Sequence, residues 1–395
     1  MTTLTLKTGK EANVGFRHPW IFSGALEDLE AEHGSIVRVA DKNGKILATG
    51  TFSARSSIAV RCFEFGEATI DRAWLEKKIV EAQERRALMG YGPKTGTTGY
   101  RVVFGEADGI PGLVVDRFGE TIVFQISTSG MDAMREDVIQ ALTTTLRPAC
   151  LIERSDMPVR AEEGLEDVVK IHEGAADDLV PFEEHGVRFL ADPIKGQKTG
   201  FFLDQKDARN ALGRIAKGKT VLNLFSYSGA AGVAMMAAGA KSVHNIDASE
   251  EALALCQKHA ELHDFSEKKF TTEQTDIFQW LGAGQEKTYD MVVMDPPALI
   301  KTMKDAEEGR KAYHFLNRAA MRLVEDGGIF ATSSCSHFLS EDDLAFTLRR
   351  ASVQAGLRLD VLEVVRQSPD HPQSVYFPES LYLKTMIFRV TRMNA

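Results

Sequence analysis

The sequence predicts an α/β protein whose carboxyl-terminal half builds a mostly parallel sheet with helices on both faces. Three observations carry this expectation. From about residue 189, strand-length apolar runs alternate with helix-length stretches to the end of the chain, the pattern of a wound parallel sheet. Several of these runs stop at an acid or at small residues: Ser226-Tyr227-Ser228-Gly229, Asp247, Asp295-Pro296-Pro297 and Ser334-Cys335-Ser336. The preceding part reads first as short strands joined by turns, then as a mixed α+β segment.

Composition bounds the function. A chain of 395 residues, 44% hydrophobic and 26% charged, has room for two to three globular domains. Residues 1–14 are polar, unlike a secretory signal, and the small and apolar run 229–240 is too short for a membrane span of roughly 20 residues. A cytoplasmic protein with no membrane partner is expected. Four cysteines lie far apart without a C-x-x-C pair, which argues against a zinc knuckle, an iron–sulfur cluster and a disulfide framework. A net charge of -9 disfavours a dedicated duplex binder, yet leaves room for an enzyme that touches RNA over one local surface.

Within residues 1–72, strands are expected over 35–40, 45–52 and 58–65, with Asn43-Gly44 as a hairpin signal, so a small β-barrel is predicted. Residues 73–188 begin within a helix spanning 71–89. A Gly/Thr-rich break over 90–99 follows, then strands over 113–116 and 121–127 flanking the turn Arg117-Phe118-Gly119-Glu120. Residues 189–395 carry the parallel sheet. The charged run 301–311 reads as a mobile loop beside the pocket, with substrate gating as a less favoured role.

A ligand site is expected where the apolar strand ending at Phe225 meets a small-residue turn and a helix rich in Ala and Met. Glycine lets a backbone approach a ligand with no side chain in the way. The next strand, 242–246, ends in Asp247, 18 residues after Gly229, where an acid suits ribose hydroxyls. A third strand ends near Asp276, placed to meet an adenine amino group. The full G-x-G-x-x-G is absent, which disfavours a dinucleotide. Asn223, Phe225, Ser226, Ser228, Gly229, Asp247, Ala248, Asp276 and Ile277 are the candidates for S-adenosylmethionine. Gly213 to Thr220 formally matches the phosphate-binding loop G-x-x-x-x-G-K-[ST], but a helical stretch precedes it and a strand follows. That order is the reverse of what the loop requires.

Asp295 and Cys335 end what should be neighbouring strands. Prolines 296 and 297 stiffen the turn after Asp295, whose carboxylate could hold the polar edge of a nucleobase. Cys335 sits among Ser334, Ser336 and His337, whereas Cys62, Cys150 and Cys256 lie in apolar or helical patterns and read as core. C5 of a pyrimidine is a poor nucleophile. A thiolate adding to C6 makes C5 enamine-like, able to take a sulfonium methyl group before a base removes the C5 proton. Methylation of an amino group needs no such cysteine. That second chemistry, with Asp295 as the amine holder, stays open, as does a non-catalytic RNA-binding assembly protein.

These residues resemble the 23S ribosomal RNA large subunit methyltransferase I family over essentially the whole length. Arg17-His18-Pro19-Trp20-Ile21-Phe22-Ser23-Gly24 looks like the opening of its PUA domain, and Gly105-Glu106-Ala107-Asp108-Gly109-Ile110-Pro111-Gly112 like its central domain. Lys198-Thr199-Gly200-Phe201-Phe202-Leu203-Asp204-Gln205 is similar to the stretch that helps to close over the cofactor. Asn223 to Gly229 is similar to its motif I, Asp295-Pro296-Pro297 to motif IV, and Ser334-Cys335-Ser336 to the motif VI that carries the nucleophile. His371-Pro372 and the run from Phe377 to Lys384 match its carboxyl-terminal signature. Ala298-Leu299 depart from the Lys-Phe that family members often carry after the prolines.

The resemblance implies a PUA-like barrel over 1–72, a central α+β domain over 73–188, and a Rossmann-like class I methyltransferase domain over 189–395 with a mostly parallel seven-stranded sheet. It implies S-adenosylmethionine as cofactor, with Lys198 and Asp204 near it, and cytosine C5 in ribosomal RNA, 23S or an assembly intermediate, as target. A homodimer is compatible with this reading. Arg17, His18 and Trp20 could contact RNA, a cation beside an aromatic suiting phosphate and base; equally, Trp20 could be barrel core with Arg17 a solvated rim. Lys198 could instead be simply solvated, and His337 either tunes the thiolate or leads into a helix.

Overall fold

The computed structural model describes residues 1–92 and 94–393. Pro93, inside the expected 90–99 break, and the last two residues of the expected 189–395 domain lie outside the described residues. The chain divides into two compact units. One comprises Met1–Gly186, Ala191–Leu203 and Pro369–Ser380; the other comprises Val187–Leu190, Asp204–Ser368 and Leu381–Ala395.

The first unit opens with β1 (Thr2–Thr5), α1 (Ala12–Gly15), β2 (Trp20–Phe22), β3 (Ile36–Ala40), β4 (Ile46–Phe52) and β5 (Ile58–Glu64). The sheet order is β1-β3-β4-β5-β2, with β1 parallel to β3 and the other pairs antiparallel. Leu4, Val37, Val39, Ala48 and Val60 are fully buried in its core. Each such aliphatic side chain contributes about 1.5–3 kcal/mol when taken wholly out of water, less for the alanine. The Asn-Gly hairpin forms as expected: Asp41 Oδ1 accepts from the backbone N–H of Asn43 and of Lys45, both at 2.9 Å, and Gly44 supplies φ +81°.

Helix α2 (Arg72–Leu88) starts where the Asp71 carboxylate caps the N–H of Trp74. There follow β6 (Gly99–Phe104), β7 (Leu113–Phe118), β8 (Thr121–Ile126), α3 (Ser129–Ala133), α4 (Arg135–Leu146), β9 (Cys150–Ser155), α5 (Val159–Glu162), β10 (Val168–Glu173) and β11 (Val180–Glu184). The second sheet runs β10-β9-β8-β7-β6, with α2 and α4 sharing its apolar core. Strand β7 extends through Phe118, so the turn predicted over 117–120 shrinks to Gly119 and Glu120. Phe118 is wholly buried, and the Arg117 guanidinium folds back onto the carbonyls of Gly119 and Leu146, which lets both residues stay in the ladder.

From Asp204, after β12 (Val187–Ala191), the chain runs in the second unit except over Pro369–Ser380. In this unit α6 (Lys206–Ile215), β13 (Thr220–Leu224), α7 (Ala230–Ala237), β14 (Ser242–Asp247), α8 (Glu250–Leu262), β15 (Phe270–Gln274), α9 (Ile277–Gly282) and β16 (Tyr289–Met294) alternate. They are followed by α10 (Ala306–Met321), β17 (Val324–Ser334), α11 (Glu341–Ala355), β18 (Leu357–Arg366) and β19 (Lys384–Arg392). The seven strands are ordered β15-β14-β13-β16-β17-β19-β18. The first five are parallel, and β19 lies antiparallel between β17 and β18.

The strand order reverses at β13. From β13 the chain steps outward through β14 to β15, then returns to β16 on the other side of β13. Right-handed crossovers therefore put α7 and α8 on one face and α9 and α10 on the other. Ligands bind at such a switch point, in the crevice outside the carboxyl ends of the strands. The formal phosphate-loop match lies between the end of α6 and the start of β13, so it opens no helix.

The stretch expected as a mobile loop over 301–311 is ordered differently. Thr302 and Asp305 form a reciprocal cap, and α10 begins at Ala306, so the charged run is mostly the first turns of a helix. Glu307 and Glu308 in its first turn suit the helix dipole.

Candidate active site

The turn after β13 is built against backbone preference. Phe225 (φ 56°), Tyr227 (φ 47°) and Gly229 (φ 70°) all occupy the left-handed region. For a side-chain-bearing residue this costs of order 1–3 kcal/mol, tolerated where surroundings over-determine it. Three hydrogen bonds do so here. Ser226 N donates to Ile246 O (3.0 Å), Tyr227 N to Asp247 Oδ2 (2.7 Å), and Gly229 N to Ser226 O (2.8 Å). The turn is thus pinned to the end of β14. Gly229 is required twice over, since a Cβ there would lie 2.2 Å from Cys256 Sγ.

The candidate cofactor residues divide by what they touch. Asn223 is buried in the sheet, its Nδ2 donating to Asn245 Oδ1 (2.9 Å). The Ser228 carbonyl accepts from His259 Nδ1 (2.9 Å). Ser226 differs: its hydroxyl oxygen is buried and has no hydrogen-bond partner among the described residues. A buried hydroxyl with no partner costs free energy, and a polar ligand at this strand end would satisfy it.

Asp247, at the end of β14, also accepts from Ser249 N (3.0 Å) through Oδ1, and Ala248 follows it. Each carboxylate oxygen has a second lone pair for a ligand hydroxyl. Asp276 lies two residues beyond β15, exposed, and caps α9 by accepting from Gln279 N (2.8 Å), while Ile277 is buried behind it. Phe225 meets Phe278 of α9 edge to face, ring centroids 6.3 Å apart. Residues 225–229, 247–248 and 276–277 therefore follow three adjacent parallel strands at their carboxyl ends.

Asp295 follows β16, on the other side of β13. Its N–H reaches Leu224 O (3.3 Å), and its Oδ2 accepts from the Gln205 side-chain amide at 2.6 Å. Gln205 was not singled out as a site residue from sequence; only its place beside Asp204 in the 198–205 stretch pointed to it. Asp204 is buried, its Oδ2 accepting from the Tyr382 hydroxyl (2.6 Å) and its carbonyl from Ser368 N (2.9 Å).

Cys335 follows β17 and is exposed, whereas Cys62, Cys150 and Cys256 are buried as expected. Burial pushes the Cys62 and Cys256 thiols up to about 12, which leaves them unreactive at neutral pH. The flanking serines are held rigidly: the Tyr313 hydroxyl bonds Ser334 Oγ (2.9 Å) and Ser336 Oγ (3.1 Å), and Ile300 N donates to Ser336 Oγ (3.3 Å). Lys384, also not anticipated as a site residue, donates its ammonium to Ser336 O at 2.7 Å. A lysine opening the apolar run Met386-Ile387-Phe388 was the available signal. His337 is exposed, three residues before the Ser340 that caps α11.

The remaining candidates belong to the first unit. Lys198 is exposed, with φ 54° and its ammonium over the Phe202 ring at 4.3 Å. Trp20 donates its indole N–H to Glu106 (2.9 Å) and packs edgewise on Phe377, centroids 4.7 Å apart. His18 Nε2 lies 3.4 Å from Glu379 Oε2. Arg17 is exposed, with φ 59° and its guanidinium 5.9 Å from the Phe65 ring centroid.

The five parallel strands, the reversal at β13 and the acids at the strand ends are what a methyl-donor site of the class I type is made of. Family models agree: residues 4–65 match a PUA-like domain and residues 165–389 an S-adenosylmethionine-dependent methyltransferase. In overall fold the chain is similar to a crystallised methyltransferase complexed with SAH (TM-score 0.86, 21% identity, 98% of this chain and 100% of that one). It is similar also to a SAM-dependent methyltransferase from Streptococcus mutans (TM-score 0.84, 20% identity, 98% and 100%). The protein is an S-adenosylmethionine-dependent methyltransferase with an amino-terminal PUA-like domain.

A more specific relation comes from sequence. The chain is 36% identical over 394 residues to ribosomal RNA large subunit methyltransferase I of Shigella boydii serotype 4, covering 98% of this chain and 99% of the relative. It belongs to the ribosomal RNA large subunit methyltransferase I family. Its cofactor is S-adenosylmethionine, and the orphaned Ser226 hydroxyl with the strand-end Asp247 and Asp276 fits that group. Among the described residues no helix is long and apolar enough to cross a membrane.

Proposed function

We propose that this chain methylates C5 of a cytosine in ribosomal RNA of the large subunit, through a covalent bond between Cys335 and C6. The observation that carries the reading is the exposed Cys335 at the carboxyl end of β17, one strand from Asp295 at the end of β16. The relatives' names supply the RNA class, and their bacterial setting suits a cytoplasmic enzyme.

S-adenosylmethionine supplies an electrophilic methyl group on a sulfonium. Ser226, Asp247 and Asp276 would hold it at the strand ends, with Ser228, Gly229, Ala248 and Ile277 shaping the pocket and Asp204 bordering it. Asn223 supports the turn from inside the sheet. Asp295, oriented by Gln205, accepts from the cytosine amino group and fixes the ring. Cys335 adds as thiolate to C6, C5 takes the methyl group, a base removes the C5 proton, and the Cys335–C6 bond breaks. A base inside a helix cannot reach such a pocket, so a flipped or single-stranded cytosine is the substrate. We assign RNA contact to residues 1–72, with Arg17, His18 and Trp20 at its edge, a linking role to 73–188, and methyl transfer to 189–395.

The test is transfer of an isotopically labelled methyl group to large-subunit RNA, followed by nucleoside analysis. Label in 5-methylcytidine, abolished by Cys335→Ala, supports the reading. Label on an exocyclic amine, with Cys335→Ala active, would overturn it in favour of Asp295 as amine holder.

A further inference from the structure

We propose that Lys384 is a positioning residue for the nucleophile, its buried ammonium holding Cys335 in the thiolate state. The inference rests on the C5 reading above. In the antiparallel pair of β17 and β19, Lys384 lies directly across from Ser334, the residue before Cys335. Its Nζ donates to the carbonyl of Ser336, the residue after Cys335, at 2.7 Å, and lies 3.3 Å from Tyr382 O. One lysine thus pairs through its backbone with the residue before the thiol and through its ammonium with the residue after it. A lysine in this position sheds most of its hydration, and two carbonyls alone are modest compensation for a buried charge.

The charged neighbours favour the same partner. Besides Cys335, Lys384 is coupled to Asp343 and Glu341 at the start of α11. Asp343 is already engaged, accepting from Ser340 Oγ (2.8 Å) and Arg310 (3.4 Å), and Glu341 pairs with Arg366 (3.3 Å). Tyr313 of α10 faces the loop through the two serines, and burial raises its pKa, so it stays neutral. Burial lowers the pKa of Lys384, while the Cys335 charge acts to raise it. A cation beside a cysteine increases the thiolate fraction.

In the reaction the Cys335 proton passes to solvent, and the sulfur electron pair forms the S–C6 bond. After methyl transfer the C5 proton leaves to a base, the C5–H pair restores the ring double bond, and the S–C6 pair returns to Cys335. Lys384 keeps its proton throughout.

The experiment is alkylation of Cys335 in the intact protein with iodoacetamide across pH, read by peptide mass spectrometry, for wild type, Lys384→Met and Lys384→Arg. Removing the charge is expected to slow alkylation at pH 7 by about tenfold and move its pH midpoint upward, with Lys384→Arg close to wild type. An unchanged rate and midpoint in Lys384→Met would overturn the proposal. Should Lys384→Met not fold, wild type decides: at pH 6.5 Cys335 is expected to react faster than glutathione, and a slower reaction would overturn the pairing. Slowed alkylation in Lys384→Met without 5-methylcytidine formation by wild type would support the pairing and overturn the C5 chemistry instead.

Discussion

Gln205 donates its side-chain amide to the Asp295 carboxylate at 2.6 Å, joining the segment just before α6 to the turn after β16. The bond fixes one carboxylate oxygen of Asp295. Loss of a hydrogen bond to a charged group costs about 1.5–3 kcal/mol. Gln205→Ala is therefore expected to reduce kcat/KM for RNA about 10- to 100-fold while leaving the dissociation constant for S-adenosylmethionine within a few-fold. Single-turnover methyl transfer and calorimetry check both halves.

Ser226→Ala separates binding from folding. The hydroxyl is buried without a partner among the described residues, so its removal is expected to leave Tm unchanged or slightly raised. Cofactor binding should weaken by about 0.5–1.5 kcal/mol, the net worth of one ordinary hydrogen bond. A fall in Tm with unaltered binding would show the hydroxyl to be structural.

Gly229→Ala meets two obstacles, the positive φ and the 2.2 Å approach to Cys256 Sγ. It is expected to destabilise the protein by more than about 1 kcal/mol and to weaken the cofactor site. Adding Cys256→Ala removes the clash but not the backbone strain, so the double variant should recover part of the loss. A denaturation-based double-mutant cycle measures the coupling.

His259 gives stability a pH dependence. The ring donates from Nδ1 to Ser228 O (2.9 Å), and its Nε2 accepts from Leu190 N (2.9 Å), an arrangement that suits the neutral form. Burial brings its pKa down to about 4. The unfolded chain takes up the proton near pH 6.5 and the native state only near 4, so stability is full above 6.5 and falls between those values. The loss amounts to about 3 kcal/mol at 1.36 kcal/mol per pH unit. His259→Gln should flatten that part of the stability–pH curve, measured by urea denaturation from pH 7 to pH 4.

The sheet was legible because its strands are apolar runs ending in residues with chemistry: Asp247 ends a strand, and Gly229, Asp295 and Cys335 lie in the turns that follow strands. The hairpin at Asn43-Gly44 was legible for the same local reason. The helix start at Ala306 was missed because two local devices, the Thr302–Asp305 cap and acids in the first turn, were outweighed by the look of a charged run. Partners distant in sequence were beyond local reasoning. Asp204 meets Tyr382 from 178 residues away, and Lys384 reaches Ser336 across 48. Trp20 illustrates a two-way residue: its indole is tied to Glu106 and Phe377, which sequence alone could not have named.

The central claim is the covalent attack by Cys335, and one measurement meets it directly. RNA carrying 5-fluorocytosine at the target, incubated with the protein and S-adenosylmethionine, should trap the enzyme, because fluorine cannot leave as a proton does. A band of protein attached to RNA on a denaturing gel, present for wild type and absent for Cys335→Ala, is the predicted result. Methyl transfer to ordinary RNA with no trapped band would contradict it.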